Sequence, residues 1–154
     1  MKIGSLIRAE TVITDLLATT KPELLAELAG RAARPARLDR ATIFDALLER
    51  ESFGSTGLGM GVAMPNARLR ALRKPFALFA KLRKPIDFQA LDGRPVDLIV
   101  LLLGPEPANT AYLDVLTAAS RALRNATVRD QLRMCADAPS IAALLSEDAV
   151  GTSK

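Results

Sequence analysis

Residues 98–103 read LIVLLL, six aliphatic side chains in a row without one polar position. A strand with one wet face would alternate, so an unbroken run of this kind marks a strand covered on both faces. The rest of the chain supplies covers. Residues 20–23 read TKPE, a capping-box spacing with proline in the first turn, and Leu24, Leu25, Leu28, Ala29 and Ala32 then share one helical face, which predicts a helix from Lys21 to about Ala33. Asp39 is placed to cap a second helix with Ile43, Phe44, Leu47 and Leu48 as its buried stripe and Asp45, Glu49 and Arg50 outside it. Residues 75–82 set Phe76, Leu78, Ala80 and Leu82 against Ala77, Phe79 and Lys81, the period of a strand. Asn109 opens a helix carrying Leu113, Leu116, Ala119, Ser120 and Leu123; Thr127 begins a shorter one, and residues 139–145 supply a third. Helices at both ends with strands between them predict one α/β sandwich, its sheet flanked by helices on both faces.

A chain of 154 residues suits a single domain, expected over residues 1–150, with 151–154 as a small, polar, disordered tail. Apolar residues at 49% and charged residues at 25% are ordinary globular values, which excludes wholesale disorder. The longest aliphatic run is far shorter than the roughly 20 residues of a membrane span, and residues 1–10 contain no secretory apolar stretch, so the expected location is the cytoplasm without membrane insertion. Cys135 is the single cysteine and cannot form an internal disulfide; it reads as a small packed residue. The chain has no histidine, which with a single thiol argues against zinc, while a carboxylate-only magnesium site stays open; no cofactor is expected. Arginines cluster at Arg31, Arg34, Arg37 and Arg40 and again at Arg68, Arg70, Arg73 and Lys74. Without interleaved aromatics to stack bases, these clusters read as solvated surface, and no nucleic-acid partner is expected.

Chemistry-bearing residues concentrate in residues 54–69, GSTGLGMGVAMPNARL. Taken alone, Gly54, Gly57, Gly59 and Gly61 permit a tight irregular turn, and their spacing fits neither a P-loop nor a dinucleotide fingerprint. By the same standard Arg50 and Glu51 make a surface ion pair, Ser55 and Thr56 a turn, Asn66 a strand end, and Asp114 a solvated carboxylate.

Two blocks change that reading: LLERESFGSTGLGMGVAMPNARL over residues 47–69 and KPIDFQALDGRPVDLIVLLLGPE over residues 84–106. Together, and across almost the whole chain, they resemble the enzyme IIA domain of the bacterial phosphoenolpyruvate-dependent phosphotransferase system, in the nitrogen-regulatory branch of the mannitol/fructose superfamily. The resemblance implies a central mixed sheet with helices on both faces. It also implies a phospho-acceptor histidine at the end of an Ile-Pro-His-like triplet, where this chain has Met64-Pro65-Asn66. A second histidine common at the start of the following helix is matched by Tyr112, and a frequent Gly-Asn-Gly by Gly59-Met60-Gly61. Arg50, Ser55, Thr56, Gly57 and Pro65 match residues around the family's acceptor, so the implied binding set is these five with Asn66 and Tyr112. An amide nitrogen is delocalised into its carbonyl and is no useful nucleophile, so no catalytic residue is assigned. Tyr112, with a reference pKa of about 10, would be a neutral hydrogen-bonding group.

Three functions follow as expectations. The first is a regulatory IIA-like protein that acts by protein–protein binding and cannot accept phosphate at the usual position. Docking to the small phosphocarrier protein is then implied, with a sensor kinase, a potassium transporter or a metabolic enzyme as regulatory target. The second is a working phosphocarrier whose histidine was replaced by Asn66 in the laboratory, against which Tyr112, Met60 and Ala67 speak. The third is an unrelated small-anion or acidic-protein binding module built on Arg50, Arg68 and the glycine-rich loop.

Overall fold

In a computed structural model, the structure describes residues 3–151, with side chains placed as far as residue 146. Six strands form one mixed sheet: β1 (Val12–Leu16), β2 (Gly57–Gly59), β3 (Val62–Ala63), β4 (Asn66–Leu69), β5 (Phe76–Ile86) and β6 (Val96–Pro105). The spatial order is β1-β5-β6-β3-β2, with β4 also on β6. β5 and β6 are antiparallel, whereas β1 runs parallel to β5. β3 and β4 lie end to end along the other side of β6, both parallel to it.

The helices are α1 (Lys21–Ala36), α2 (Arg40–Ser52), α3 (Thr110–Arg124), α4 (Ala126–Met134) and α5 (Ala138–Gly151). α1 and α2 cover one face of the sheet, and α3, α4 and α5 the other. The LIVLLL run feeds both layers by strict alternation: Ile99, Leu101 and Leu103 pack toward α1 and α2, while Leu98, Val100 and Leu102 pack toward α3 and α5. All six are completely buried, which is why no polar residue is tolerated there.

Local chemistry explains the ends of these elements. Thr20 Oγ accepts from the Glu23 amide at 3.2 Å, while the Glu23 carboxylate takes the Thr19 hydroxyl and not the reciprocal capping bond. α1 continues three residues past the expected end, carrying Pro35 in its last turn, and stops at Arg37 in the left-handed conformation. Asp39 sits at the N-cap of α2 without capping a backbone amide; its carboxylate receives only the Thr42 hydroxyl, at 3.5 Å. Of the expected α2 stripe, Ile43 and Leu47 are buried, but Phe44 is half-buried and Leu48 is exposed, because α2 rests on α1 and the edge of the sheet by a narrow face. On α3 the buried stripe is Tyr112, Val115, Ala119, Ala122 and Leu123, one residue out of step with expectation; Leu113 is 52% exposed.

Lys81 looks out of place on an apolar face of β5, yet its ammonium donates to the carbonyls of Leu132, Arg133 and Cys135 and so caps the C-terminal end of α4. Cys135 is half-buried against the same apolar layer, as a packed thiol would be. The expected tail begins at the residue that ends α5, Gly151; residues 152–154 lie outside the described residues. None of the described helices is long and apolar enough to cross a membrane.

Candidate functional site

β6 binds two short strands on one side because the chain between them cannot continue the ladder. Pro65 has no amide hydrogen, so pairing breaks after β3 and resumes at β4, with the Pro65 carbonyl accepting from Leu102 at 3.0 Å. Asn66 therefore begins β4 opposite Leu102, and Arg68 sits opposite Gly104. Side chains two apart on a strand share a face. Ala67 and Leu69 point into the α1–α2 core; Asn66 and Arg68 point the other way. Among the described residues β4 pairs with β6 alone, so this is a sheet edge where the two helical layers approach one another.

A cavity of about 480 Å³ fills that gap. α2 supplies Ala46, Glu49 and Arg50, followed by Phe53; β4 supplies Asn66, Ala67 and Arg68; and Glu106, Ala108, Tyr112, Leu113 and Leu116 close the far wall. Phe53 is 81% exposed on the rim, opposite Leu113. Asn66 donates through Nδ2 to the Met64 carbonyl at 2.9 Å, which leaves its second amide hydrogen and its carbonyl uncommitted in that bond. Arg50 donates through one guanidinium nitrogen to the Gly54 carbonyl at 3.1 Å. Arg68 stands 3.7 Å from the Glu106 carboxylate, a loose and largely exposed pair.

Tyr112 is the buried member, only 2% exposed, and its hydroxyl has no hydrogen-bond partner within the protein. Its ring lies flat on Gly104, where even a methyl group would come within 2.2 Å of ring carbon. Burial pushes the phenol up to about 12, against the pull of the Arg68 and Arg50 guanidiniums. The group is a neutral hydroxyl at physiological pH.

Of the seven sequence-derived site residues, Arg50, Asn66 and Tyr112 come together in this cavity. The other four serve its supports. Ser55 donates its hydroxyl to the Phe88 carbonyl and accepts from the Gly57 amide at 3.1 Å. Gly57 has no side chain because Ala90 lies where its Cβ would be, 2.8 Å away. Thr56 is buried and gives both its amide and its hydroxyl to Glu51. Glu51 in turn pairs with Lys21 at 2.7 Å, so it is tied into the fold and is not the surface partner of Arg50. Pro65 is the buried break already described. Sequence reasoning left Arg68 in a solvated cluster or an unrelated anion nest and overlooked Glu106 and Phe53; the two-residue step from Asn66 to Arg68 along a strand was the signal that places Arg68 in the site. Among the described residues no group of three or more cysteine, aspartate or glutamate side chains is arranged to hold a metal ion.

Residues 5–148 match the family described as phosphoenolpyruvate-dependent sugar phosphotransferase system, EIIA 2. The chain belongs to this family. It is 40% identical over 146 residues to the nitrogen regulatory protein of Bradyrhizobium diazoefficiens, covering 95% of each chain. It is 39% identical over 146 residues to the nitrogen regulatory protein of Pseudomonas aeruginosa, covering 90% of this chain and 93% of that one. Among solved structures, nitrogen regulatory protein IIA-Ntr of Neisseria meningitidis superposes with a TM-score of 0.87 at 34% identity, over 93% of this chain and 98% of that one. Mannitol IIA of Escherichia coli shares the fold, with a TM-score of 0.75 at 20% identity over 90% and 98% of the two chains. As an EIIA 2 domain of nitrogen-regulatory likeness, the chain has the mixed sheet between helices that its resemblance implied, and the reading as an unrelated anion-binding module falls away.

Proposed function

We propose that this EIIA 2 protein is a regulator that works by docking to other proteins and does not carry phosphate at position 66. The observation that carries the reading is Asn66 at the head of β4, in a cavity with Arg50, Arg68 and Tyr112, in a chain without any histidine. In this reading Asn66 stands at the family's acceptor position and Tyr112 at that of its second histidine. A carboxamide does not attack phosphorus, and no imidazole exists to activate a serine or threonine in its stead. Arg50 and Arg68 keep the electrostatic half of the site, while Phe53 and Leu113 give its rim exposed apolar surface of the sort that protein partners cover.

A phosphoryl group would add about −1.5 to −2 charge to this face, so its lasting absence holds the protein in the docking state of an unmodified IIA domain. The partners we assign are the small phosphocarrier, for docking without transfer, and a sensor kinase, potassium transporter or metabolic enzyme as regulated target, with this protein itself acting from the cytoplasm. Escherichia coli mannitol IIA, 20% identical, has been solved with its phosphorylated IIB partner, which makes a protein partner reasonable for this fold.

Intact-mass measurement after incubation with phosphoenolpyruvate and the upstream carriers tests the proposal: the mass stays unchanged. A phosphorylated product refutes it, and a histidine codon at position 66 in the genomic locus refutes natural loss of the acceptor. Affinity capture from the native cell extract then identifies the target.

A further inference from the structure

We propose that the end of the molecule formed by the α1–α2 turn and the β4–β5 turn is a cationic docking face for a carboxylate-rich segment of a partner protein. In the sequence, Arg31, Arg34, Arg37 and Arg40 and, far along the chain, Arg70, Arg73 and Lys74 read as two separate solvated stretches. The fold joins them. β1 ends beside Leu82, and the short connection from Leu16 to Lys21 turns the chain back, so α1 runs antiparallel to β1. It starts beside Phe88, with the Lys21 ammonium 4.4 Å from the centre of that ring, and ends toward the side where β5 begins at Phe76. The chain between β4 and β5 lies at that side too, since Leu69 is opposite Pro105 and Phe76 opposite Leu103. β4 and β5 flank β6, so this chain has to cross β6; Leu72 packs on the α1–α2 core, along with Ala33, Leu38 and Phe44, so the crossing is on the α1–α2 face.

All seven cations are exposed, and Asp39 is the only carboxylate in residues 30–40 and 70–75. The formal net charge of the whole chain is +4, so its cationic excess is concentrated at this end. None of the seven takes part in the ion pairs of Lys21 with Glu51, Arg68 with Glu106, Arg83 with Asp15 or Arg133 with Asp97, and none lines the Asn66 cavity. Two of them are held against local preference. Arg37 ends α1 at φ 57°, in the left-handed conformation where glycine is relaxed and a long side chain is strained. Arg40 opens α2, at the helix end whose dipole disfavours a cation, and its guanidinium lies across α1, donating to the Ala26 carbonyl at 3.4 Å over the space left by Gly30. The α1 dipole favours cations at Arg34 and Arg37, but it accounts for neither Arg40 nor the β4–β5 turn.

Carboxylates are the partner this surface fits. Six of the seven cations are arginines, whose planar fork meets a carboxylate with two parallel hydrogen bonds. A membrane would need apolar anchors, and none of the large exposed hydrophobic side chains belongs to either segment. Nucleic acid would need aromatics to stack bases or a helix laid along a groove, and this face presents helix ends and a turn without one aromatic residue.

Fluorescein-labelled poly-glutamate, titrated with the intact protein at physiological ionic strength and followed by anisotropy, should bind saturably and weaken as salt is raised. Arg31→Gln with Arg34→Gln, and Arg73→Gln with Lys74→Gln, should each weaken binding about fivefold, because both segments contribute. Arg121→Gln with Arg124→Gln removes the same charge from exposed positions of α3, on the opposite face of the sheet, and should leave binding unchanged. Arg37→Gly should unfold at a higher temperature as the strain is lifted and yet bind the peptide about twofold more weakly, a pair of effects that damage to the fold cannot imitate. Duplex DNA and phosphatidylglycerol vesicles are titrated at the same salt as the competing occupants. The proposal is overturned when poly-glutamate does not saturate, when the α3 variant loses as much as either pair at the cationic end, when Arg37→Gly binds like wild type, or when DNA or vesicles bind more tightly than the peptide. None of these results touches the non-acceptor reading of Asn66, which only a covalent adduct in the mass measurement would sink.

Discussion

Gly104→Ala puts a single methyl group under the ring that defines the site, and the structure sets the scale of its effect. The new Cβ would lie 2.2, 2.3 and 2.6 Å from three Tyr112 ring carbons, whereas carbon atoms in contact sit about 3.5–4.0 Å apart. The ring must therefore retreat by more than about 1 Å. It cannot do so alone, because Tyr112 is 2% exposed and Val115, on the next turn of α3, is fully buried beneath the same helix. Overpacking of this kind costs about 1–3 kcal/mol, from which the backbone preference of a strand for alanine over glycine subtracts about 0.5–1 kcal/mol. A net loss of about 1–2 kcal/mol corresponds to a fall in Tm of about 5 °C for a domain of this size. Calorimetry or thermal circular dichroism measures the fall, and a double-mutant cycle assigns it: in a Tyr112→Ala background the same Gly104→Ala change should cost nothing. An undiminished cost in that background, or no fall in the wild-type background, would refute the packing argument.

Three further outcomes follow from the same contacts. Spectrophotometric titration of the single tyrosine should show its midpoint near 12 and not near 10; since the folded value is raised, the associated stability is intact below about pH 10 and is lost as pH rises toward about 12, by at most about 3 kcal/mol, and a midpoint near 10 in the folded protein contradicts the burial. Glu51→Ala removes the acceptor for Thr56 and the partner of the largely buried Lys21, so urea unfolding should register a loss of about 3 kcal/mol; a change under about 0.5 kcal/mol would mean the network is dispensable. Met60 holds φ at 57° between two glycines, where asparagine fits more easily, so Met60→Asn should raise stability by about 0.5–1 kcal/mol in the same assay, and a loss would show that the Met60 sulfur beside Arg94 matters more than the backbone.

Much of this protein was legible before any coordinate. LIVLLL demanded two helical layers because a hexapeptide with no polar side chain has no face to give to water, and the TKPE and Asn109 caps marked helix starts through bonds that one residue makes to another three positions on. The blocks around positions 50 and 90 carried the family, and the Met64-Pro65-Asn66 triplet is what motivates the proposal of a non-acceptor, because an amide and an imidazole differ as nucleophiles whatever surrounds them. β1 was not visible, since VITDL is too short and too mixed to show a period, and pairing with β5 is what makes it a strand. Tertiary structure alone decided the composition of the site. Ser55 and Thr56 have the same hydroxyls as any phosphate ligand, but Phe88 and Glu51, distant or adjacent in sequence, claim them. Tyr112 and Leu113 are neighbours of similar apolar bulk, and which of them turned inward depended on the empty space above Gly104. Propensity and chemical identity belong to residues and are written in order along the chain, whereas burial and proximity come from side chains that meet only after the sheet has closed.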